Sequence, residues 1–357
     1  MQVIVDLSIN FLAVDVSFCD MAREISGVEL ANVLHSTQER RLQTLSVCLF
    51  LFLYICFGLI CAILVIWLLF TPFYVIPLVY AAWYVYDLRT PERGGRRCEW
   101  IRNMKVWRYV RDYFPMTLRS TCPLDPDKNY LMIYHPHGII TTGVILNFGT
   151  NAADFHEHFP GIRCTGTSLN FQFMLPLYRE YVLALGFCSC SKQSIEHLLT
   201  SNGLGNAVVL TVGGASEALD AHPGSFTLTL KHRKGFVRIA MRHGIPLVPM
   251  FGFGENDLYN QVANPPGSRL RTFQTFMMKW LTFSTPVIHG RGIVGILPFR
   301  RPVNVVVGGP LEVAKVLSPT EDQVDQVHQQ YVARLVSLFE TYKSDYGVSP
   351  QQHLNIV

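Results

Sequence analysis

Two histidines separated by one proline offer the clearest chemistry in this sequence. His135-Pro136-His137-Gly138 directly follows the apolar run 130–134. If that run is a strand of a parallel sheet, the turn lies at the carboxyl end of the strand, where ligands bind. Pro136 favours an extended His135, and side chains two residues apart on an extended chain share a face. We therefore expect both imidazoles to project into the active cleft, where either could act as a general base. Two histidines held by structural hydrogen bonds are the alternative.

A glycine turn followed by a carboxylate forms a second group. Gly213 and Gly214 follow the apolar run 207–212, and Glu217 comes three residues later. Backbone N–H groups at such a turn can hold an oxyanion, and Glu217 could orient and charge-stabilise a histidine base. The alternative for Glu217 is a surface position in the first turn of a helix, which the helix dipole favours. Ser216 lies in an incomplete nucleophile elbow, which lacks the last glycine of G-x-S-x-G.

A basic cluster supplies a third group. Arg233, Lys234 and Arg238 lie within six residues of one another. Guanidinium and ammonium groups bind phosphates well, so the cluster suits a polyphosphate such as that of coenzyme A. A solvated helix face is an equally good interpretation of these residues by themselves.

Short apolar runs alternate with helical patterns after residue 115. The runs 130–134, 207–212, 245–253 and 303–307 each end near Gly or Pro, as buried strands do. Helical patterns at 192–199 and 235–242 separate them, which predicts an α/β fold with a mainly parallel sheet and flanking helices. Ser318-Pro319-Thr320-Glu321 predicts a capping box with Pro319 at the first helical position. The apolar stripe that follows, up to Gly347, indicates core packing.

A long charge-free stretch predicts a membrane anchor. Residues 42–86 contain no Asp, Glu, Lys or Arg, and 47–70 alone are long enough to cross a bilayer. Thr71-Pro72 interrupts the run, and basic residues flank it on both sides. Because basic flanks stay cytosolic, a hairpin with both ends in the cytosol fits best. One span with an interfacial segment, or a hairpin buried in a soluble core, are the alternatives.

The predicted organisation has four parts. Residues 1–41 form an acidic cytosolic leader without the basic start of a signal peptide, 42–88 the membrane hairpin, 89–115 a basic juxtamembrane segment and 116–357 the catalytic domain. The eight Lys and Arg between 89 and 111 indicate an amphipathic helix, solvated or lying on anionic headgroups. Nine cysteines without a CxxC pair indicate reduced thiols that face the cytosol.

Several motifs, taken in order, resemble the acyl-CoA:acylglycerol acyltransferase family, which includes monoacylglycerol and diacylglycerol acyltransferases and some wax synthases. The matching segments run from about Arg40 to the C-terminus. They are Tyr113-Phe114-Pro115, His135-Pro136-His137-Gly138, Arg179-Glu180-Tyr181, Gly213-Gly214, Arg233-Lys234-Gly235-Phe236 and Phe253-Gly254-Glu255-Asn256. Ala218-Leu219-Asp220-Ala221 looks closest to the monoacylglycerol branch.

The resemblance implies a glycerolipid-acyltransferase-like fold in the endoplasmic reticulum membrane, with the active site towards the cytosol; a lipid-droplet location and a homo-oligomer stay open. It implies acyl-CoA as co-substrate, a neutral acylglycerol acceptor, contact with membrane lipid, and neither a metal, another cofactor nor nucleic acid. Monoacylglycerol is the expected acceptor, with diacylglycerol or a long-chain alcohol as alternatives.

The expected mechanism places a base, its partner and an oxyanion site. Related glycerolipid acyltransferases place an Asp five residues after the histidine, but position 142 is Thr, which points to Glu217 as a distant partner. His137 is then the base and His135 a positioning residue. Backbone groups at Gly138, Gly213 and Gly214 would hold the oxyanion. Rival hypotheses are a metal-dependent hydrolase using both histidines, a serine hydrolase using Ser216, and a non-enzymatic membrane hairpin.

Overall fold

The computed structural model describes residues 38–281, 284–292 and 295–357. Most of the predicted acidic leader, with Cys19, lies outside these ranges. The eight cysteines within them are free thiols.

A single apolar helix opens the described chain. Helix α1 (Gln38–Leu51) continues through a π-helical turn (Phe52–Cys56) into α2 (Phe57–Leu68). Together they form a 31-residue helix with the length and composition to cross a membrane, the one such helix among the described residues. After a turn follows α3 (Val75–Tyr86), whose 12 residues extend about 18 Å at 1.5 Å per residue. That is less than the roughly 30 Å hydrocarbon layer, so α3 is too short to span it.

One face of the long helix packs against the rest of the protein. Val47, Phe50 and Leu51 are buried in the same hydrophobic cluster as residues of the central sheet. Arg300 donates hydrogen bonds to the side chains of Gln43 and Thr44 at 2.5 and 3.0 Å. Large apolar side chains cover the opposite face and are exposed, as expected for a surface in contact with lipid.

The basic segment does not form the single amphipathic helix that its composition predicts. It contains a 3-10 turn (Thr90–Glu92) and two separate helices, α4 (Glu99–Arg102) and α5 (Lys105–Tyr113). Arg102 and Trp107 are 3% and 2% exposed, because both find backbone oxygens inside the protein. The Trp107 indole N–H donates to the carbonyl of Ile101 at 2.7 Å. The prediction of one continuous helix is therefore wrong, whereas α5 alone is amphipathic, with Trp107, Val110 and Tyr113 on its buried face.

The sheet is mainly parallel, as predicted. Its seven strands are β1 (Thr117–Ser120), β2 (Tyr130–His135), β3 (Arg163–Ser168), β4 (Phe187–Ser189), β5 (Asn206–Leu210), β7 (Leu247–Phe253) and β10 (Asn304–Val307). They are ordered β1-β10-β7-β2-β5-β3-β4, and every neighbouring pair except β10–β7 is parallel. Two short ribbons pair β6 (Thr227–Leu228) with β11 (Asn355–Ile356), and β8 (Asn260–Gln261) with β9 (Ile288–His289).

Helices cover both faces of this sheet. They are α6 (Thr142–Phe148), α7 (Phe155–His158), α8 (Tyr178–Ala184), α9 (Lys192–Thr200), α10 (Gly214–Ala218), α11 (Gly235–His243), α12 (Arg269–Leu281) and α13 (Glu321–Tyr342). Side chains of β2 alternate between the two faces. Met132 and Tyr134 join the cluster that contains residues of the long apolar helix, while Leu131 and Ile133 join the cluster that contains residues of α13. The sheet is thus buried between two helical layers, and β2 lies near its centre.

The cap of α13 differs from its prediction. Thr320, not Ser318, is the N-cap, and its hydroxyl accepts from the backbone N–H of Gln323, whose side chain bonds back to Thr320. Thr320 has the extended backbone of an N-cap residue, so the helix begins at Glu321 and Pro319 lies before it rather than at its first position. The predicted apolar stripe is confirmed as core, with Val324, Tyr331 and Leu335 fully buried.

Candidate active site

His135 is the last residue of β2 and is fully buried. Its Nε2 lies 3.0 Å from the hydroxyl of Tyr331 on α13. Burial lowers the pKa of His135 to about 3, so the ring is neutral at physiological pH. The expectation that both imidazoles project into the cleft is wrong for this residue. Its ring lies inside the protein against Tyr331 of α13 and holds the residue that begins the turn.

His137 lies in the turn after β2 and is half-buried. Its Nδ1 lies 3.0 Å from the carbonyl oxygen of Gly138. Because a carbonyl only accepts, Nδ1 carries the proton in the neutral ring and Nε2 keeps its lone pair. Burial lowers the pKa of His137, partly opposed by this hydrogen bond. The ring is therefore neutral at pH 7, in the tautomer that leaves Nε2 able to accept a proton. The Thr141 hydroxyl lies 3.5 Å from Nε2.

Glu217 on α10 contacts the histidine turn through its backbone. The carboxylate is 2% exposed, and its two oxygens accept the N–H of His137 at 2.6 Å and the N–H of Thr229 at 2.9 Å. Burial raises the pKa of Glu217 to about 7. The surface position considered for this residue is wrong, and its contact with His137 runs to the main chain rather than to the ring. It fixes the position of the residue that carries the imidazole.

A second buried carboxyl, missed as a site residue by sequence reasoning, holds the far side of the same turn. Glu255 follows β7 and is 1% exposed. It accepts hydrogen bonds from the Tyr134 hydroxyl at 2.7 Å and from the backbone N–H groups of Thr142 and Gly143, the first residues of α6, at 2.7 and 2.9 Å. A Cβ on Gly138 would lie 2.5 Å from Cγ of Glu255, which explains the glycine. The motif Phe253-Gly254-Glu255-Asn256 contains this residue, but the neighbouring sequence does not indicate that its side chain contacts the histidine turn.

The three glycines named for the oxyanion differ in their surroundings. A Cβ on Gly213 would lie 2.1 Å from a carboxylate oxygen of Glu217, so the two groups are in close contact. Gly214, with φ of +59°, has open space where its Cβ would be. The backbone at Gly214 can therefore be approached by a ligand, while the backbone at Gly213 is covered by a carboxylate.

The three basic residues of the predicted phosphate-binding cluster have different partners. Lys234 pairs with Asp325 at 2.5 Å, and Arg238 pairs with Glu321, both on α13. Arg233 is exposed, and its guanidinium lies 3.4 Å from the hydroxyl of Ser216, beside Glu217. Arg233 is thus connected to the histidine turn through Ser216 and the adjacent Glu217, whose carboxylate binds the backbone of His137.

The hydroxyl of Ser216 donates to the carbonyl oxygen of Gly213 at 3.0 Å. Within the described part of the chain this hydroxyl contacts Gly213 and Arg233 rather than an imidazole base, which does not favour the serine-hydrolase hypothesis. His135 and His137 occupy different environments. The described residues contain no group of three or more His, Cys, Asp or Glu placed to hold one metal ion.

Comparison with known proteins assigns this constellation to a family. Residues 66–357 match the family described as diacylglycerol acyltransferase. The chain belongs to that family. It is 44% identical over 319 residues to 2-acylglycerol O-acyltransferase 1 of Bos taurus, covering 88% of this chain and 95% of that protein. It is 41% identical over 346 residues to diacylglycerol O-acyltransferase 2 of Danio rerio, covering 93% and 96%. The chain is accordingly an O-acyltransferase, as its motifs indicated.

Among solved structures, the 1-acyl-sn-glycerophosphate acyltransferase PlsC from Thermotoga maritima matches with a TM-score of 0.38 and 14% identity, over 84% of this chain and 96% of that one.

Replacing Glu255 with Gln is expected to change how the stability of this acyltransferase depends on pH. Burial raises the pKa of Glu255 from 4.5 to about 7, so the folded protein keeps a proton that the unfolded chain releases between these values. Through this group, the free energy of unfolding is highest below pH 4.5 and falls as the pH rises towards 7. The glutamine variant lacks that component. Its destabilisation relative to the wild type should therefore shrink with rising pH.

Denaturant titrations of the detergent-solubilised full chain at about pH 5 and about pH 8 measure this difference. Glu157→Gln, at an exposed position of α7, is the control. The same destabilisation by Glu255→Gln at both pH values would contradict the assignment.

Proposed function

We propose that this protein transfers a fatty acyl group from acyl-CoA to the hydroxyl of a monoacylglycerol. The observation that carries the proposal is the His137 ring, whose Nε2 is free to accept a proton in a turn that two buried carboxyl groups hold. Relatives named for monoacylglycerol and for diacylglycerol substrates are 44% and 41% identical to the chain. Transfer to diacylglycerol is therefore the second candidate.

In the proposed step, Nε2 of His137 removes the proton from the acceptor hydroxyl as its oxygen attacks the thioester carbonyl carbon. The new C–O bond gives a tetrahedral oxyanion, which the backbone N–H group at Gly214 stabilises. The intermediate collapses with cleavage of the C–S bond. The coenzyme A thiolate leaves and takes the proton from the imidazolium. No acyl-enzyme is required, because both substrates are held together.

Gly213 does not serve as an oxyanion donor in this proposal, although its position in the glycine turn suggested that role. Its α-carbon lies against the carboxylate of Glu217, and a negative charge there would repel an oxyanion. Gly138 lies against the carboxyl group of Glu255 in the same way, so we assign both Gly213 and Gly138 to close packing. His135 is assigned to positioning, because it is buried and bonded to Tyr331.

Arg233 is the proposed contact for the phosphates of acyl-CoA. It is exposed and adjoins Ser216, whereas Lys234 and Arg238 pair with acidic residues of α13. In this proposal the latter two fix α11 against α13, because each forms an ion pair with that helix.

The membrane helix favours a lipid acceptor. Tyr54, in the π-helical turn of that helix, packs against the hydrophobic cluster that contains Tyr134, whose hydroxyl donates a hydrogen bond to Glu255. Such turns occur often at functional sites. An acceptor dissolved in the bilayer would therefore reach the histidine turn from the side of this helix.

We propose a re-entrant hairpin in the endoplasmic reticulum membrane with the active site facing the cytosol. Helix α3 is too short to return through the whole bilayer, and it contacts α2. Basic residues flank the hairpin on both sides, as cytosolic flanks do.

The test is a microsomal assay with labelled acyl-CoA and three acceptors in parallel: monoacylglycerol, diacylglycerol and a long-chain alcohol. We expect the highest kcat/KM with monoacylglycerol. A higher kcat/KM with diacylglycerol would make diacylglycerol the acceptor and would leave the proposed mechanism unchanged. Transfer to none of the three would refute the proposed function.

A further inference from the structure

A cleft of about 350 Å³ opens at the end of the sheet opposite the histidine turn. It lies within the roughly 300–1,000 Å³ range of small-molecule sites. Its walls come from the basic segment, the carboxyl end of α6, α7 and the start of β3. The polar residues that line it are Arg97, Glu99, Arg102, Asn147, His156 and Arg163.

The sheet register separates this cleft from the active site. Arg163 pairs with Asn206 at the amino ends of β3 and β5, and Ala207 pairs with Tyr130 at the start of β2. His135 lies at the other end of β2, about 16 Å away at 3.3 Å per residue. A small ligand bound in this cleft would therefore not reach the reacting atoms at the histidine turn.

The charge in the cleft is unbalanced. Three arginines line it against one glutamate, which pairs with Arg97. Within the described ranges, no carboxylate lies within 4.0 Å of the guanidinium of Arg102 or Arg163. Burial, and then the charge of Arg97, lower the pKa of Arg102 to about 10, which still leaves it charged at pH 7. Asn151 bridges Glu99 to Arg102, so the one glutamate is shared between Arg97 and Arg102, and positive charge stays in excess in the cleft.

Arg102 and Arg163 have different roles. Arg102 is fixed, because its guanidinium donates to the carbonyls of Leu185, Phe148 and Thr150 and to the side chain of Asn151. Arg163 is exposed and free to turn its donors to a ligand. A planar guanidinium matches the oxygens of a phosphate, and a fixed charge beside it adds long-range attraction.

We propose that this cleft binds a phosphate group, carried by the headgroup of an anionic lipid or free in solution. The position of the cleft favours the lipid. Arg97 and Arg102 line the cleft and belong to the basic segment that follows α3, the second apolar helix, which ends at Tyr86. Basic residues just beyond an apolar membrane segment lie at the level of the lipid headgroups.

The test measures the Tm of the full chain in detergent as each ligand is added. The ligands are inorganic phosphate, dihexanoyl phosphatidate and, as a lipid of no net charge, dihexanoyl phosphatidylcholine. A ligand that binds the folded state raises Tm. We expect phosphatidate to raise it, and Arg163→Gln to raise the half-saturating concentration at least tenfold, about the loss of one charge-assisted hydrogen bond. Arg163 is exposed, so this variant should fold normally.

Arg334→Gln, at an exposed position of α13, should bind like the wild type, as should His137→Gln. The latter separates this proposal from the proposed reaction. A response to inorganic phosphate as strong as to phosphatidate, lost in Arg163→Gln, would identify free phosphate as the source. The proposal is overturned if no ligand changes Tm, if phosphatidylcholine acts equally, or if Arg163→Gln leaves the response unchanged.

Discussion

His137→Gln is expected to lower the acyl-transfer rate by about 10²- to 10⁴-fold, the usual contribution of a general base. Glutamine keeps the size and a hydrogen-bonding group of the side chain but cannot take a proton. The turn itself should persist, because Glu217 binds the backbone N–H of residue 137 rather than its ring. The loss should therefore appear in kcat, with little change in the KM for either substrate.

The measurement is the initial rate in microsomes with labelled acyl-CoA, normalised to the amount of protein. His158→Gln, at an exposed position of α7, should retain wild-type activity and controls for the substitution itself. Near-full activity of His137→Gln would exclude this ring as the base.

Arg179→Met is expected to destabilise the protein by about 3 kcal/mol, the lower range for removing one partner of a buried ion pair. The Arg179 side chain is fully buried, and it pairs with Asp87, which is 6% exposed, at 2.9 Å. It also donates to the backbone carbonyl of Asp87 and lies 4.7 Å from the ring centre of Tyr84. Methionine would fill similar space but leave the Asp87 carboxylate with Arg96 as its remaining cation. The tie between the end of α3 and α8 would be weakened.

Denaturant unfolding of the detergent-solubilised chain measures this loss. Arg119→Met is the matched control, since Arg119 pairs with Asp345 on the surface, where both side chains are about half-exposed. Exposed pairs contribute about 0–1 kcal/mol. Equal losses in the two variants would show that burial of the Arg179 pair does not determine its contribution.

Local patterns predicted the local elements well. The apolar runs predicted β2, β5, β7 and β10 to within two residues at each end, because a buried strand shows in composition alone. Strands β1, β3 and β4 were not predicted. They are short and contain Thr, Ser, Arg and Cys, so they lack the continuous apolar run from which a buried strand is predicted.

The contacts that build the site could not be predicted in the same way. Glu217 meets His137 from 80 positions away, Glu255 meets Thr142 from 113, and Tyr331 meets His135 from 196. Each contact depends on the order of the strands, which no local period encodes. Tyr331 illustrates the point, since its spacing on α13 predicted a core residue, and the structure shows that it is also the partner of a histidine.

The long apolar helix formed by α1 and α2 is part of the hydrophobic core of the enzyme. Val47 and Phe50 are as deeply buried as Met132 and Tyr134 in the middle of the sheet. A shortened protein that began after the apolar stretch would expose this cluster to water. The apolar helix and the catalytic domain therefore fold as one unit, and a chain shortened in this way is expected to lose its activity even where the substrates are made soluble.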